Sequence, residues 1–213
     1  MMLVRSCVLA VLVGLCRISP AAAQSDPSVG VLLLAHGGQP QWNERVTALA
    51  AVVDRAQPTE VAFGMASRAS IQAAIDRLAT RGVTRVVAVP LFVSSYSSVI
   101  TSTEYLLGLR DVAPPDLALF AKMSHSSHDA GDAGRSAHEP LADPMAPLPV
   151  RLPIRMTAAL NDHPLIGLVV ADRARSISTS PSNEAVILVA HGPVPDDENR
   201  RWLEAMSRLA RQV

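Results

Sequence analysis

The sequence predicts an α/β protein: a doubly wound parallel sheet with an incomplete second repeat. The first observation behind this is a continuous apolar run, Val29 to Ala35, which ends in His36-Gly37-Gly38 and has the character of a strand covered on both faces. The second is regular alternation, strand-like runs followed by apolar residues at helical spacing. The third is an echo. Val31-Leu32-Leu33-Leu34-Ala35-His36-Gly37 returns as Val186-Ile187-Leu188-Val189-Ala190-His191-Gly192, offset by 155 residues, and each copy leads into a stretch containing a tryptophan, Trp42 or Trp202. A βα unit recurring at that distance indicates a duplicated α/β domain, not a short-period solenoid.

After the first strand, Trp42, Val46, Leu49, Ala50 and Val53 follow helical spacing. Glu60 to Phe63 reads as a short strand, and Ile71, Ala74, Ile75 and Leu78 mark a second amphipathic helix ended by Gly82. Arg85 to Val93 is the strongest strand, with Pro90 near its end; a helix from about Val99 to Leu109 closes before Pro114-Pro115. Asp116 to Lys122 is read as a further strand. Composition then changes. Met123 to Pro149 holds His125, His128 and His138, four prolines and many small or acidic residues, which predicts a mobile surface loop. Val150 to Met156 is a strand by pattern. Leu165 to Val170 fits strand or helix by periodicity, and the flanking Asn161-Asp162 and Asp172-Arg173 favour helix. Trp202, Met206, Leu209 and Ala210 mark a last helix, Asp196 to Gln212.

The ends carry their own signals. Met1 to Arg5 is a short positive start, Ser6 to Cys16 is apolar, and Ala21-Ala22-Ala23 offers small residues for cleavage before Gln24. Residues 1–23 therefore read as a signal peptide, and the expected location is exported, periplasmic or secreted. The apolar stretch is too short for a stable membrane span. Residues 24–183 form the first α/β domain, with 123–149 as its loop, and 184–213 start a second, incomplete repeat of one strand and one helix. A homodimer pairing two first halves would rebuild the cleft, with the 184–213 unit still to be accommodated; left unaccommodated, its apolar helix face is expected to be exposed.

Both cysteines, Cys7 and Cys16, lie in the leader, so a chain starting at Gln24 has neither disulfides nor thiolate metal sites. The whole chain carries 19 basic and 19 acidic residues; removing Arg5 and Arg17 leaves 17 against 19. That balance argues against nucleic acid and anionic membrane surfaces as partners.

Open α/β sheets bind ligands just past the carboxyl ends of their strands, which is where His36 falls. A lone histidine in such a loop is ordinarily satisfied by backbone partners; its return as His191 in the same context points to function. Histidine phosphatases place an arginine before the histidine, and here Ala35 and Ala190 stand there. Lipase-like hydrolases use His-Gly-Gly for an oxyanion hole, which His36-Gly37-Gly38 matches, but no Gly-x-Ser-x-Gly elbow accompanies it. No phosphate-binding or dinucleotide glycine pattern is present.

Four pieces in order, Leu33-Leu34-Ala35-His36-Gly37-Gly38, Val89-Pro90-Leu91-Phe92-Val93, Asp162-His163-Pro164 and Val189-Ala190-His191-Gly192, give the chain its resemblance. It resembles the class II chelatases, the CbiX-type sirohydrochlorin cobaltochelatases and their ferrochelatase relatives, from Val29 to the end except the His/Pro loop. The resemblance implies a chelatase-like fold and insertion of a divalent metal (cobalt, iron or nickel) into a tetrapyrrole such as sirohydrochlorin. His36 is then the catalytic residue, His36 and His191 the metal-facing residues, and Gly37, Gly38, Ser94, Tyr96 and Ser98 the residues facing the macrocycle. Neutral imidazole suits such a metal and can accept a pyrrole proton.

The chain departs from the family at two points. The usual second histidine is missing from Ser94-Ser95-Tyr96-Ser97-Ser98, where Tyr96 or Ser98 takes its place, and Met65 falls where a glutamate is usual. Met65 is expected to pack in the core, as methionine commonly does. His125, His128 and His138 with Asp129, Asp132 and Glu139 either gather a metal weakly or form a solvated loop, and His163 is expected to start a helix. Two readings follow: an exported chelatase, or a non-catalytic periplasmic metal or tetrapyrrole binding protein on the same fold.

Overall fold

The structure, a computed structural model, describes residues 28–126, 143 and 145–213. The leader and the histidines His128 and His138 lie outside the described residues, as do Asp129, Asp132 and Glu139.

Four parallel strands form one sheet: β1 Val29–Ala35, β2 Thr59–Phe63, β3 Arg85–Pro90 and β4 Ile154–Met156, in the order β2-β1-β3-β4. The helices are α1 Pro40–Asp54, α2 Arg68–Thr80, α3 Ser98–Leu106, α4 Leu117–Ser126, α5 Pro164–Ile177 and α6 Asp196–Ala210, with a short 3-10 turn at Pro181–Asn183. The chain leaves β1 toward β2 on one side, then returns across β1 to β3. Right-handed crossovers in opposite directions place α1 and α2 on opposite faces, which is the doubly wound plan.

Register divides the sheet into two faces. Leu32, Leu34, Ala62, Val86 and Ala88 belong to the main core, which Ile71, Ala74, Ile75 and Leu78 of α2 and Ile100, Leu106, Leu117 and Phe120 of α3 and α4 complete. Each large aliphatic side chain fully removed from water there contributes about 1.5–3 kcal/mol. On the other face Leu33 and Ala35 are buried, and α1 supplies Val46 and Ala50. Trp42, Leu49 and Val52 of the same helix are exposed.

β2 is an edge strand, and its outer side is occupied by arginines. Arg81 Nη1 donates to the Thr59 carbonyl at 3.2 Å and Arg77 Nη2 to the Val61 carbonyl at 3.3 Å. Both guanidiniums pair with Glu60, and Arg81 also pairs with Asp54. Charged side chains on an edge strand obstruct pairing with a foreign strand.

Three expectations need correction. Asp116 to Lys122 is not a strand; it lies in α4 and the turn before it. Phe120 N–H donates to Asp116 O at 3.2 Å; Leu117 and Phe120, three apart, face the core, while Leu119 is 56% exposed. The short apolar run is part of a helix, with its residues divided between core and solvent at helical spacing. Val186–Val189 has no regular structure and joins no strand, with Ile187 81% and Val189 88% exposed, so the second copy has no sheet to enter. The ends of the 123–149 segment also belong to the fold. Met123 to Ser126 continues α4, and Leu148 is buried with its N–H donating to Leu106 O at 2.8 Å.

α5 is helical, as the flanking residues favoured, and His163 caps it, its Nδ1 accepting from Leu165 N–H at 3.2 Å. The last helix, α6, folds back onto the first domain. Its buried residues are Trp202, Ala205 and Leu209. Arg208 Nε pairs with Asp162 at 2.7 Å, and Gln212 Nε2 donates to Asp162 O at 2.8 Å.

Candidate active site

The strand order reverses between β1 and β3, and crevices at such reversals are where open α/β sheets take ligands. Four loops leave the carboxyl edge there. The loops after β1 and β2 are joined by Gly64 N–H to Ala35 O at 2.9 Å, and Leu91 N–H donates to Leu34 O at 2.8 Å. The loop after β4 runs beside the one after β3, with Leu160 N–H donating to Phe92 O at 3.0 Å and Asn161 N–H to Val93 O at 2.8 Å. His36 and the Ser94–Ser98 segment thus leave the two strands that flank the reversal.

His36 is exposed, and its Nδ1 lies 2.7 Å from the Gly37 carbonyl oxygen. A carbonyl can only accept, so the chemistry of the partner places the proton on Nδ1. In the neutral ring Nε2 then keeps its lone pair. Gly37 has φ +76°, the left-handed region, and sits against Phe63 and Gly64; a Cβ there would lie 3.5 Å from Phe63 Cβ. Gly38 is fixed by Asn43, whose Oδ1 accepts Gly38 N–H at 2.9 Å and whose Nδ2 donates to Gly38 O at 3.2 Å. These bonds tie the histidine loop to the first turn of α1.

Across the reversal, Ser94 is 2% exposed and its Oγ accepts Tyr96 N–H at 3.1 Å. That oxygen shapes the loop. Ser97 Oγ donates to Ser94 O at 3.1 Å, so it does not cap α3. Ser98 is the first residue of α3, whose N-terminal end carries the positive end of the helix dipole. Tyr96 is half-buried, with the guanidinium carbon of Arg201 5.9 Å from its ring centroid, a cation–π distance. Met65 packs against the core, as expected.

His191 is not brought to a strand end. It is exposed, in the irregular segment before α6, and the next residue, Gly192, lies against Asn199 and Trp202. Among the described residues no three His, Cys, Asp or Glu side chains gather where a metal ion could be held. None of the helices among those residues is long and apolar enough to cross a membrane. Two surface depressions lie away from the Ser94–Ser98 segment. One follows the outer side of α1 at Pro40, Asn43 and Thr47, and the other lies along the β2 edge at Thr59, Arg77 and Arg81.

The roles of two residues escaped the sequence reading. Asn161 holds Ser95 through both side-chain atoms, accepting its N–H at 2.8 Å and donating to its Oγ at 3.0 Å. Asp162 carries the ion pair to α6, and the Arg208 hydrogen bond foremost holds its carboxyl below the usual range. Their partners lie 66 and 46 residues away, beyond any local pattern.

The model of the CbiX family matches residues 30–177. A sirohydrochlorin cobaltochelatase of Methanothermobacter thermautotrophicus strain Delta H is 34% identical over 90 residues, which are 41% of this chain and 63% of the relative. The match thus spans just under two thirds of that relative's length. A solved CbiX protein of cobalamin (vitamin B12) biosynthesis from Marinobacter aquaeolei VT8 aligns at 18% identity and a TM-score of 0.36, covering 70% of this chain and 95% of the other.

Proposed function

This chain belongs to the CbiX family, and from that premise we propose that it inserts a divalent metal (cobalt, iron or nickel) into a tetrapyrrole such as sirohydrochlorin, at the crevice between β1 and β3. The observation that carries this reading is the condition of His36. Its Nδ1 proton is engaged by the Gly37 carbonyl, which leaves Nε2 as a lone-pair donor at the strand end. That nitrogen can hold a borderline metal ion and can take a pyrrole proton as the metal enters.

The macrocycle lies over Gly37 and Gly38, where the missing side chains permit close approach. Tyr96 and Ser98 face it across the crevice, and its carboxylates are drawn to the N-terminal end of α3 and to Arg201. His191 contributes when its segment gains a sheet to join, for which a homodimer is the simplest assembly. The leader-like residues 1–23 support an exported protein.

A second reading, a non-catalytic metal or tetrapyrrole carrier, is favoured by Tyr96 standing where the family's second histidine is expected while lying under Arg201. Spectral titration separates the two. Sirohydrochlorin is mixed with Co²⁺ or Fe²⁺, with and without the chain from Gln24 to Val213, alongside His36→Ala. Faster insertion that disappears in the variant supports the chelatase. Binding without faster insertion supports the carrier and removes the enzyme reading.

A further inference from the structure

We propose that Asn161 is a positioning residue, holding the Ser94–Ser98 loop in the shape that presents Tyr96 and Ser98 to the ligand. This rests on the reading of the crevice as the tetrapyrrole site. Asn161 grips the loop at two points. Its backbone N–H donates to Val93 O at 2.8 Å; its side chain accepts from Ser95 N–H at 2.8 Å and donates to Ser95 Oγ at 3.0 Å. Ser95 Oγ also accepts Ala159 N–H at 2.8 Å. Ser95 is therefore held by three hydrogen bonds to the loop after β4, and the next residue is Tyr96.

The backbone supplies a second argument. Asn161 has φ +45°, a conformation costly for residues with a Cβ and least so for asparagine and aspartate. Glycine would adopt it more readily. Asparagine offsets the cost with two side-chain bonds aimed at one residue of the opposite loop. Those bonds are confined to the rim; the core cluster beneath does not include Ser95 or Asn161. Their effect therefore falls on loop shape rather than on packing of the sheet.

The test uses Asn161→Gly and Asn161→Asp in the chain from Gln24 to Val213. Glycine keeps the backbone conformation and deletes both side-chain bonds. Aspartate keeps the acceptor for Ser95 N–H and can accept from the Ser95 hydroxyl. The expected result is a melting temperature close to the parent's for both variants. Asn161→Gly should weaken sirohydrochlorin binding, or raise its KM, by about tenfold with kcat little changed, because the released loop holds the presenting shape only about a tenth of the time. Asn161→Asp should restore most of it. Parent-like binding by Asn161→Gly, or failure of aspartate to rescue, overturns the proposal. If the parent itself neither binds nor metallates sirohydrochlorin, the functional reading fails separately. Amide exchange at Tyr96 and Ser97 then decides the positioning claim: faster exchange in Asn161→Gly alone upholds it, and unchanged exchange overturns it.

Discussion

Val83 lies directly over the bare Cα of Gly30: a Cβ at residue 30 would come within 2.8 Å of Val83 Cγ1 and 3.1 Å of Leu78 Cδ2. β1 starts at this contact, and α2 reaches the sheet through it. Gly30→Ala is expected to destabilise the fold by about 1–3 kcal/mol, the usual cost of overpacking a filled core. Urea denaturation followed by circular dichroism measures this. A midpoint equal to the parent's would show that Val83 yields freely.

Gly37 is constrained by conformation instead of space. At φ +76° an alanine costs about 1–2 kcal/mol, whereas asparagine costs less. Gly37→Ala should therefore lower the melting temperature more than Gly37→Asn. Both substitutions should also disturb the carbonyl that holds His36 Nδ1, so on the proposed tetrapyrrole reading both should weaken sirohydrochlorin binding. Equal melting temperatures for the two would count against the left-handed turn.

α6 docks through a glycine on α5. A methyl on Gly167 would overlap Gln212 Cβ at 2.8 Å, and Gln212 in turn holds the Asp162 carbonyl. Gly167→Ala should push α6 away and expose Trp202, which is buried in the parent. With Trp42→Phe as background, Trp202 is the sole tryptophan of the chain, and its emission should shift to longer wavelength. An unshifted spectrum would mean that the helix is held without this contact.

How much of this was legible beforehand varied with the range of the interaction. β1 and α2 were readable because a long apolar run and an i, i+3, i+4 stripe each specify one period. His163 was readable as a helix start, since its cap bond reaches only Leu165. Asp116 to Lys122 was misread because a short apolar run of seven residues fits a strand and two helical turns equally well. Val186 to Val189 repeats the apolar pattern of β1, but a strand exists only where a neighbour supplies hydrogen bonds, and local pattern does not encode the neighbour. Asn161 and Asp162 were read only as residues favouring the start of a helix, and the tertiary fold revealed what they hold.

The Asp54 carboxyl gives an acid-dependent prediction. It is held below its ordinary value of 3.8, first by the Thr59 backbone N–H and then by Arg81. Thr59 N–H lies 2.7 Å from Asp54 Oδ1, and Arg81 also meets Glu60, which pairs with Arg77 as well. A lowered folded pKa means that the stabilisation is complete above the unfolded value and is lost as pH falls through the folded one. Asp54→Asn should therefore show a shallower fall in melting temperature between about pH 5 and pH 2 than the parent. Parallel curves would remove Asp54 from the account of acid stability.

The arginines at β2 give the sheet a direction of growth. A strand arriving on that side would have to displace Arg81 from the Thr59 carbonyl and Arg77 from that of Val61, breaking their pairs with Glu60 and Asp54 as it did so. Extension there costs contacts before any new one forms. β4, at the opposite margin, is only three residues long. A chain that carries an unpaired, strongly apolar segment at Val186–Val189 has thus sealed one margin of its own sheet against that segment in its neighbours, and any lateral addition is directed to the β4 side.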